Sequence, residues 1–258
     1  MSEILTESVT VAVDDGTTMG GYLARPAAPG PLPGVVVAGE LFGVSAHVRD
    51  VCERLAREGY PALAPDLNHR AAPGVELPHD ANGRERGFDL LGRMTRAGAL
   101  ADMRAAVAYL RAGGADRVGL FGLSLGGHVA YLAATEPATI GPNCSAVAVA
   151  YGGWLPTTDI PIGRPEPTLA GTPRITARVL ALYGENDHAI PAADRDAIAG
   201  ALRAAGVRHE FVTYPGVSHG FLCDRRDTYD AAAAEDAWRR VLALFTTELT
   251  PTTAGEGG

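Results

Sequence analysis

Short apolar runs that alternate with segments of helical periodicity constrain the fold of this 258-residue chain more than any other feature. The runs are continuous and largely β-branched, which is typical of strands that are buried on both faces of a parallel sheet. They are Val35–Ala38, Ala62–Ala64, Val118–Phe121, Ala146–Tyr151, Val179–Tyr183 and Phe211–Tyr214. Strands that alternate with helices predict a doubly wound α/β sheet with right-handed crossovers.

The segments between these runs carry the spacing of amphipathic helices. One apolar stripe, at i, i+3, i+4 and i+7, starts at Val48, and similar stripes start at Leu100 and Trp238. Pro191 suits the first turn of a further helix that would extend to about Ala205. We therefore expect helices on both faces of the sheet.

The beginning of the chain departs from this alternation. Glu7–Val13 and Gly21–Arg25 flank the turn signal Asp14-Asp15-Gly16, which predicts an antiparallel hairpin. Because α/β domains often reach this size, residues 1–250 are predicted to form one domain, followed by a flexible tail over 251–258.

Two long connections interrupt the pattern further along. Asn68 to Thr95 follows the second of the apolar runs, and the proline-rich segment Gly152 to Pro173 follows the fourth. Long irregular loops inside a compact domain are usually functional. Both are therefore expected to flank a binding site.

Composition excludes several classes of function. All 22 basic residues are arginine, so the chain has no lysine for a P-loop, a pyridoxal phosphate Schiff base or a Ser–Lys dyad. The net charge of −8 argues against nucleic acid or an anionic membrane as a partner and favours neutral substrates. The three cysteines form no CxxC pair, so neither a metal site nor a disulfide framework is expected. With no signal-peptide pattern and no apolar run of the ~20 residues of a membrane span, we expect a cytoplasmic protein.

The motif with the clearest chemical meaning is Gly122-Leu123-Ser124-Leu125-Gly126. It directly follows one predicted strand and precedes a helical run, His128 to Ala134, which is the setting of a nucleophile elbow. Flanking glycines allow the tight turn that exposes a serine hydroxyl at the carboxyl end of a sheet. The alternative is a glycine-rich packing turn around a buried serine. The context favours Ser124 as a nucleophile.

A serine nucleophile needs a base and a carboxylate that orients the base. His219 lies in a loop after the last predicted strand and is preferred to His128, whose side chain should point along its helix. Asp187 follows the strand Val179–Tyr183 and gives the chain order Ser, Asp, His, with Glu185 as the alternative acid. The other five histidines are interpreted as surface or loop residues.

Several separated stretches now resemble those of one known family, the dienelactone hydrolases, which are α/β hydrolases. Besides the elbow, they are Gly39-Glu40-Leu41-Phe42-Gly43, Ala64-Pro65-Asp66-Leu67, Tyr183-Gly184-Glu185-Asn186-Asp187 and His219-Gly220-Phe221. The resemblance extends from Asp15 to about Leu249. It implies an α/β-hydrolase fold, with a mostly parallel, doubly wound sheet, an N-terminal antiparallel hairpin and helices on both faces. It also implies a small-molecule ester or lactone substrate and no cofactor or metal.

The resemblance implies further site residues. The backbone N–H groups of Leu41 and Leu125 would form the oxyanion hole. Glu40 aligns with a glutamate that interacts with the nucleophile in this family, where the nucleophile is a cysteine. This chain has Ser124 at that position. A serine works by general-base catalysis, so Glu40 is given an auxiliary role only.

Members of the family that cleave dienelactone hold the substrate carboxylate with two arginines. One follows the catalytic histidine by four residues, where this chain has Cys223, and the other falls near Arg84 or Arg86. Phe42 and Trp154 are candidates for an apolar wall of the pocket, with core packing as the alternative. Since one arginine position holds a cysteine, neutral esters are favoured over anionic lactones.

The sequence as a whole predicts an esterase or lactonase that works through Ser124, His219, Asp187 and an acyl-enzyme. Acyl transfer or cyclisation in a biosynthetic pathway would use the same acyl-enzyme with another acceptor. A noncatalytic ligand-binding protein with a hydrolase fold is the alternative of a different class. The complete set of serine, histidine and aspartate argues against it.

Overall fold

In the computed structural model, which describes residues 3–28, 30–141 and 144–250, eight strands form one sheet. The strands are β1 (Ile4–Ala12), β2 (Thr18–Pro26), β3 (Gly34–Ala38), β4 (Ala62–Pro65), β5 (Val118–Leu123), β6 (Ala146–Ala150), β7 (Arg178–Gly184) and β8 (His209–Tyr214). Their order in the sheet is β1-β2-β4-β3-β5-β6-β7-β8. Strands β3 to β8 are parallel, whereas β2 pairs antiparallel with both β1 and β4. The predicted doubly wound sheet and its N-terminal hairpin are confirmed.

Helices cover both faces of the sheet. They are α1 (Ala46–Arg57), α2 (Ala81–Leu91), α3 (Arg96–Ala112), α4 (Leu125–Ala134), α5 (Pro137–Ile140), α6 (Ala192–Ala204) and α7 (Ala231–Leu249). On one face α1 meets α7, where the Arg54 guanidinium lies 4.2 Å from the centre of the Trp238 ring. On the other face α3 packs against α4. The stripes predicted from Val48, Leu100 and Trp238 lie in α1, α3 and α7.

The long connection from Asn68 to Thr95 is not irregular as expected, because it contains α2. Asp80 caps this helix, and its carboxylate accepts a hydrogen bond from the Gly83 N–H at 2.8 Å. The second long connection contains two short 3-10 helices, Pro161–Gly163 and Thr168–Arg174. The predicted tail over 251–258 lies outside the described residues.

The topology fixes where a ligand can bind. The chain passes from β3 to β4 on one side and then returns to β5 on the other side of β3. In open α/β sheets, ligands bind outside the carboxyl ends of the strands at such a switch point. Residues that directly follow β3 and β5 therefore lie at the edge where a site is expected. None of the described helices is both long and apolar enough to cross a membrane.

Candidate active site

Ser124 forms a sharp turn between β5 and α4. Its φ of 54° is a left-handed conformation that residues other than glycine rarely adopt. The turn requires glycine at two neighbouring positions. A Cβ at Gly126 would lie 1.9 Å from the Ala38 carbonyl oxygen, and one at Gly122 would lie 2.1 Å from the Gly126 carbonyl oxygen. This close packing holds the hydroxyl at the carboxyl end of β5.

Three side chains from separate loops meet at this turn. The Ser124 Oγ lies 2.9 Å from His219 Nε2, and His219 Nδ1 lies 2.8 Å from Asp187 Oδ2. The other carboxylate oxygen of Asp187 accepts the Ala189 N–H at 2.9 Å. The Asp187 side chain is fully buried and that of His219 is 16% exposed. The acid is thus shielded from water, while the imidazole reaches the cavity.

Tyr151 fixes the imidazole from the side. Its ring lies edge-on to His219 with centroids 5.0 Å apart, and edge-on to Phe221 at 5.4 Å. Burial raises the pKa of the Tyr151 hydroxyl well above its usual value, so this group stays protonated. The His219 imidazole is therefore held between the Asp187 carboxylate and the Tyr151 ring.

His128, the alternative base, and Glu185, the alternative acid, do not take part in these hydrogen bonds. His128 is fully buried, with Nδ1 2.8 Å from the Gly153 carbonyl oxygen and Nε2 2.8 Å from Thr168 Oγ1. Burial lowers its pKa to about 4, so the ring is neutral at neutral pH. Glu185 is exposed and accepts the Gly216 N–H. Neither side chain contacts Ser124 or His219 through a hydrogen bond.

Two backbone N–H groups are free at the elbow. Leu41 lies three residues after β3, Leu125 is the first residue of α4, and both line the same cavity as Ser124. In the described part of the chain, no acceptor takes the N–H of either residue. Two free backbone donors beside a serine hydroxyl, one from a helix start and one from a loop, can form an oxyanion hole.

Glu40 forms an ion pair and makes no hydrogen bond to Ser124. One of its oxygens, Oε2, accepts a hydrogen bond from Arg226 Nη2 at 2.7 Å, and the carboxylate is fully buried. The Arg226 guanidinium also lies 4.9 Å from the centre of the Phe42 ring. Glu40 thus holds Arg226 at the wall of the site.

A cavity of about 600 Å³ opens beside Ser124 and His219. Of the residues with predicted substrate contacts, Phe42, Arg84 and Trp154 line it. Arg86 does not, because it points to solvent on α2 and pairs with Asp89 at 3.0 Å. Cys223 lies fully buried behind the wall, with Sγ 3.9 Å from His79 Nδ1.

The wall also contains side chains that sequence reasoning missed. His79, Phe88 and His188 line the cavity, as does the segment 225–228. No local motif marks them, because they come from parts of the chain that only the tertiary fold brings together. His47 and His69, interpreted as surface or loop residues, are in fact buried.

His79 has an environment that favours its neutral form. Burial, followed by the charge of Arg226, lowers its pKa below the ordinary value. In the described ranges, no group of three or more histidine, cysteine or acidic side chains is placed to hold a metal ion.

Comparisons with known proteins identify the family of this chain. The model of the "Dienelactone hydrolase family" matches residues 19–249. A protein of Synechocystis sp. named "Putative carboxymethylenebutenolidase" is 40% identical over 250 residues, which are 96% of this chain and 98% of that protein. The carboxymethylenebutenolidase of Pseudomonas putida is 33% identical over 242 residues, which are 93% of this chain and 95% of that protein. The crystal structure of a "Putative Dienelactone Hydrolase" from Klebsiella pneumoniae superposes with a TM-score of 0.84 at 33% identity, and covers 95% of this chain and 99% of that chain.

Proposed function

The chain belongs to the dienelactone hydrolase family, and on that premise we propose that it hydrolyses carboxylic esters or lactones with Ser124 as the nucleophile. The observation that supports this most strongly is the continuous hydrogen-bonded path from Asp187 through His219 to Ser124, beneath an open cavity. The substrate is a small molecule with an ester or lactone carbonyl.

Acylation begins when Ser124 Oγ attacks the carbonyl carbon and His219 Nε2 takes the hydroxyl proton. The Asp187 carboxylate accepts the hydrogen bond of Nδ1–H, which keeps Nε2 free as the base and stabilises the imidazolium. The oxyanion of the tetrahedral intermediate accepts hydrogen bonds from the N–H groups of Leu41 and Leu125. Each such donor is typically worth about 3 kcal/mol.

Collapse of the intermediate releases the alcohol, which takes the proton from His219. Water then enters beside the acyl-enzyme, and His219 removes its proton as the water oxygen attacks the acyl carbon. The second intermediate collapses, the carboxylic acid leaves, and the proton returns to Ser124 Oγ. With this base in place, Glu40 takes no proton, and its auxiliary role is to hold Arg226.

Labelling with a fluorophosphonate probe tests the nucleophile directly. We expect stoichiometric labelling of the unaltered protein and none of Ser124→Ala. Turnover of a small aryl ester should fall in Ser124→Ala by at least about 10³-fold, since only binding and the oxyanion hole remain. Ser145→Ala is the matched control, because the Ser145 hydroxyl donates to the Glu248 carbonyl oxygen and does not line the cavity.

Two results would contradict the proposal. Retained turnover in Ser124→Ala would remove the serine from the mechanism. Absence of labelling together with tight binding of an ester would favour a noncatalytic ligand-binding protein.

A further inference from the structure

Phe88 is an exposed aromatic side chain at the catalytic cavity. It is 46% exposed, more than the two other large exposed apolar side chains of the described residues, Leu5 and Tyr229. It lies on α2 and lines the cavity, one helical turn after Arg84, which lines it too. An exposed apolar ring on a ligand cavity indicates a contact surface for a ligand rather than core packing.

Trp154 completes an aromatic corner, by which we mean the pair Phe88 and Trp154. The two rings stand at 88° to one another with centroids 6.2 Å apart. Trp154 has a φ of 59°, which is strongly disfavoured for a bulky residue and places its indole at the cavity. The corner thus offers the face of one ring and the edge of the other.

The position of Phe88 is fixed by its neighbour in the chain. Gly87 lies against Leu41 so closely that a Cβ would be 2.5 Å from Leu41 Cγ and 2.9 Å from its carbonyl oxygen. Leu41 also provides one of the proposed oxyanion donors. The backbone that carries Phe88 is therefore set at a defined place relative to Leu41 and the proposed site of the reacting carbonyl.

We propose that the aromatic corner is a substrate subsite that binds a flat aromatic ring in the acyl or the alcohol part of an ester. The proposal rests on the proposed hydrolase function and adds the class of substrate. A third ring placed in a right-angled corner stacks on one ring and meets the other edge-on, which are the two favoured arrangements of aromatic pairs. The cavity of about 600 Å³ lies within the range that holds ligands much larger than a simple acetyl ester.

Matched ester pairs test this subsite. In one pair, 2-phenylethyl acetate and 2-cyclohexylethyl acetate differ in the ring of the alcohol part, which is flat and aromatic in the first and puckered and saturated in the second. In the other, ethyl 3-phenylpropanoate and ethyl 3-cyclohexylpropanoate differ in the acyl ring. We expect a preference of roughly 3- to 10-fold in kcat/KM for the aromatic member of one pair, the size of one or two aromatic contacts. It should appear mainly in KM, because the ring lies away from the scissile bond.

Variants at Phe88 separate a ring contact from a general apolar contact. Phe88→Tyr keeps the ring and should keep the preference, whereas Phe88→Leu and Phe88→Ala should lose it. Leu5→Ala is the control, since Leu5 is 43% exposed and lies on β1 outside the cavity. Because position 88 is exposed, none of these changes should impair folding.

The outcomes distinguish the two proposals. If both members of a pair are hydrolysed without an aromatic preference, or with one that persists in Phe88→Leu and Phe88→Ala, the subsite is wrong and the hydrolase function stands. If the unaltered protein hydrolyses neither pair and resists the fluorophosphonate probe, the hydrolase function fails and the subsite fails with it.

Discussion

Ser124, Tyr151 and Trp154 share an unusual backbone conformation. They are the non-glycine residues with a positive φ in the described ranges, at 54°, 42° and 59°. Such a residue costs roughly 1–3 kcal/mol and persists where the surroundings enforce it. Ser124 and Trp154 line the cavity, and Tyr151 packs on His219. The backbone strain is therefore concentrated at the cavity and at the ring that packs on His219.

Asp187 and Glu185 provide a test of the orienting carboxylate. Asp187→Asn should lower kcat by about 10³- to 10⁴-fold, because an amide N–H facing His219 Nδ1 favours the tautomer with its proton on Nε2. Glu185→Gln should change kcat less than about twofold, since this exposed carboxylate only accepts the Gly216 N–H. Steady-state kinetics with one aryl ester measures both. The reverse order of effects would move the orienting role to Glu185.

The proposed role of His219 as the base predicts how activity responds to acid. Acidification should lower kcat/KM, because a protonated imidazole cannot accept the Ser124 proton. A pH–rate profile measures this, and activity that is unchanged down to strongly acidic pH would contradict His219 as the base.

The pH dependence of stability has a contribution from His128. Its pKa is about 4 in the folded protein because the ring is buried, against 6.5 for the free side chain. Between these values the unfolded chain binds a proton that the folded protein does not, so stability falls as pH decreases from about 7 to about 4. The loss reaches up to about 3 kcal/mol and vanishes above pH 7.

Urea unfolding at a series of pH values measures the contribution of His128. His128→Gln should be less stable at pH 7, because two buried hydrogen bonds are disturbed, yet should lose less stability on acidification. Ser145→Ala, which removes no titratable group, should show the same loss of stability on acidification as the unaltered protein. If the free energy of unfolding of His128→Gln fell on acidification as steeply as that of the unaltered protein, His128 would not be the source of this pH dependence.

At the scale of elements, the parallel strands and the larger helices were predictable because each carries its own apolar period. Helix α2 was not, although it supplies Phe88 and Arg84 to the cavity. Its sequence contains Gly83 and Gly87, which lower helix propensity. These glycines serve tertiary contacts, since a Cβ at Gly83 would lie 1.9 Å from the Pro78 carbonyl oxygen. In α2, tertiary packing therefore outweighs the low intrinsic helix propensity of the glycines.

The residues of the candidate site also fall into two groups, those predictable from local sequence pattern and those that depend on tertiary packing. The meeting of Ser124, Asp187 and His219 was predictable because each lies in the turn or loop that follows a parallel strand, and such strand ends converge. His79, Phe88 and Arg226 were not singled out for the cavity wall, because their approach depends on how two long segments fold back over the sheet. Local pattern thus predicts the side chains proposed to react, whereas the residues of the cavity wall depend on tertiary packing.

A pair of glycine-to-alanine changes tests the docking of α2. Gly87→Ala should destabilise the protein by about 1–3 kcal/mol and lower kcat about tenfold, because the new methyl group displaces Leu41 and its N–H. Gly200→Ala in α6 meets no atom within 4 Å, so it should stabilise by up to about 1 kcal/mol and leave kcat unchanged. Urea unfolding and steady-state kinetics measure the two effects. A Gly87→Ala protein with unchanged kcat would exclude α2 from the support of the oxyanion hole.

At the scale of the whole molecule, one buried carboxylate joins distant parts of the chain. Asp102 on α3 is 1% exposed at its side chain and accepts a hydrogen bond from Arg70 Nη1 at 2.9 Å. Its other oxygen lies 3.0 Å from His69 Nε2. Arg70 also donates from Nε and Nη2 to Asp15, at 2.9 and 2.6 Å, in the turn between β1 and β2. The N-terminal hairpin is thereby tied to α3 and to the loop that follows β4.

Asp102→Asn should therefore destabilise the whole protein while leaving catalysis intact. Loss of the buried charge leaves Arg70 and His69 without their anionic partner, and we expect a decrease of about 2–4 kcal/mol in the free energy of unfolding. Asp14→Asn is the matched control, because Asp14 pairs with Arg104 at 2.9 Å with both side chains well exposed, and such pairs contribute about 0–1 kcal/mol. Neither Asp102 nor Asp14 lines the catalytic cavity, so kcat/KM at a temperature where both variants are folded should match the unaltered protein. Equal, small losses of stability in the two variants would show that the hairpin is held by its strand pairing with β4 and not by this ion pair.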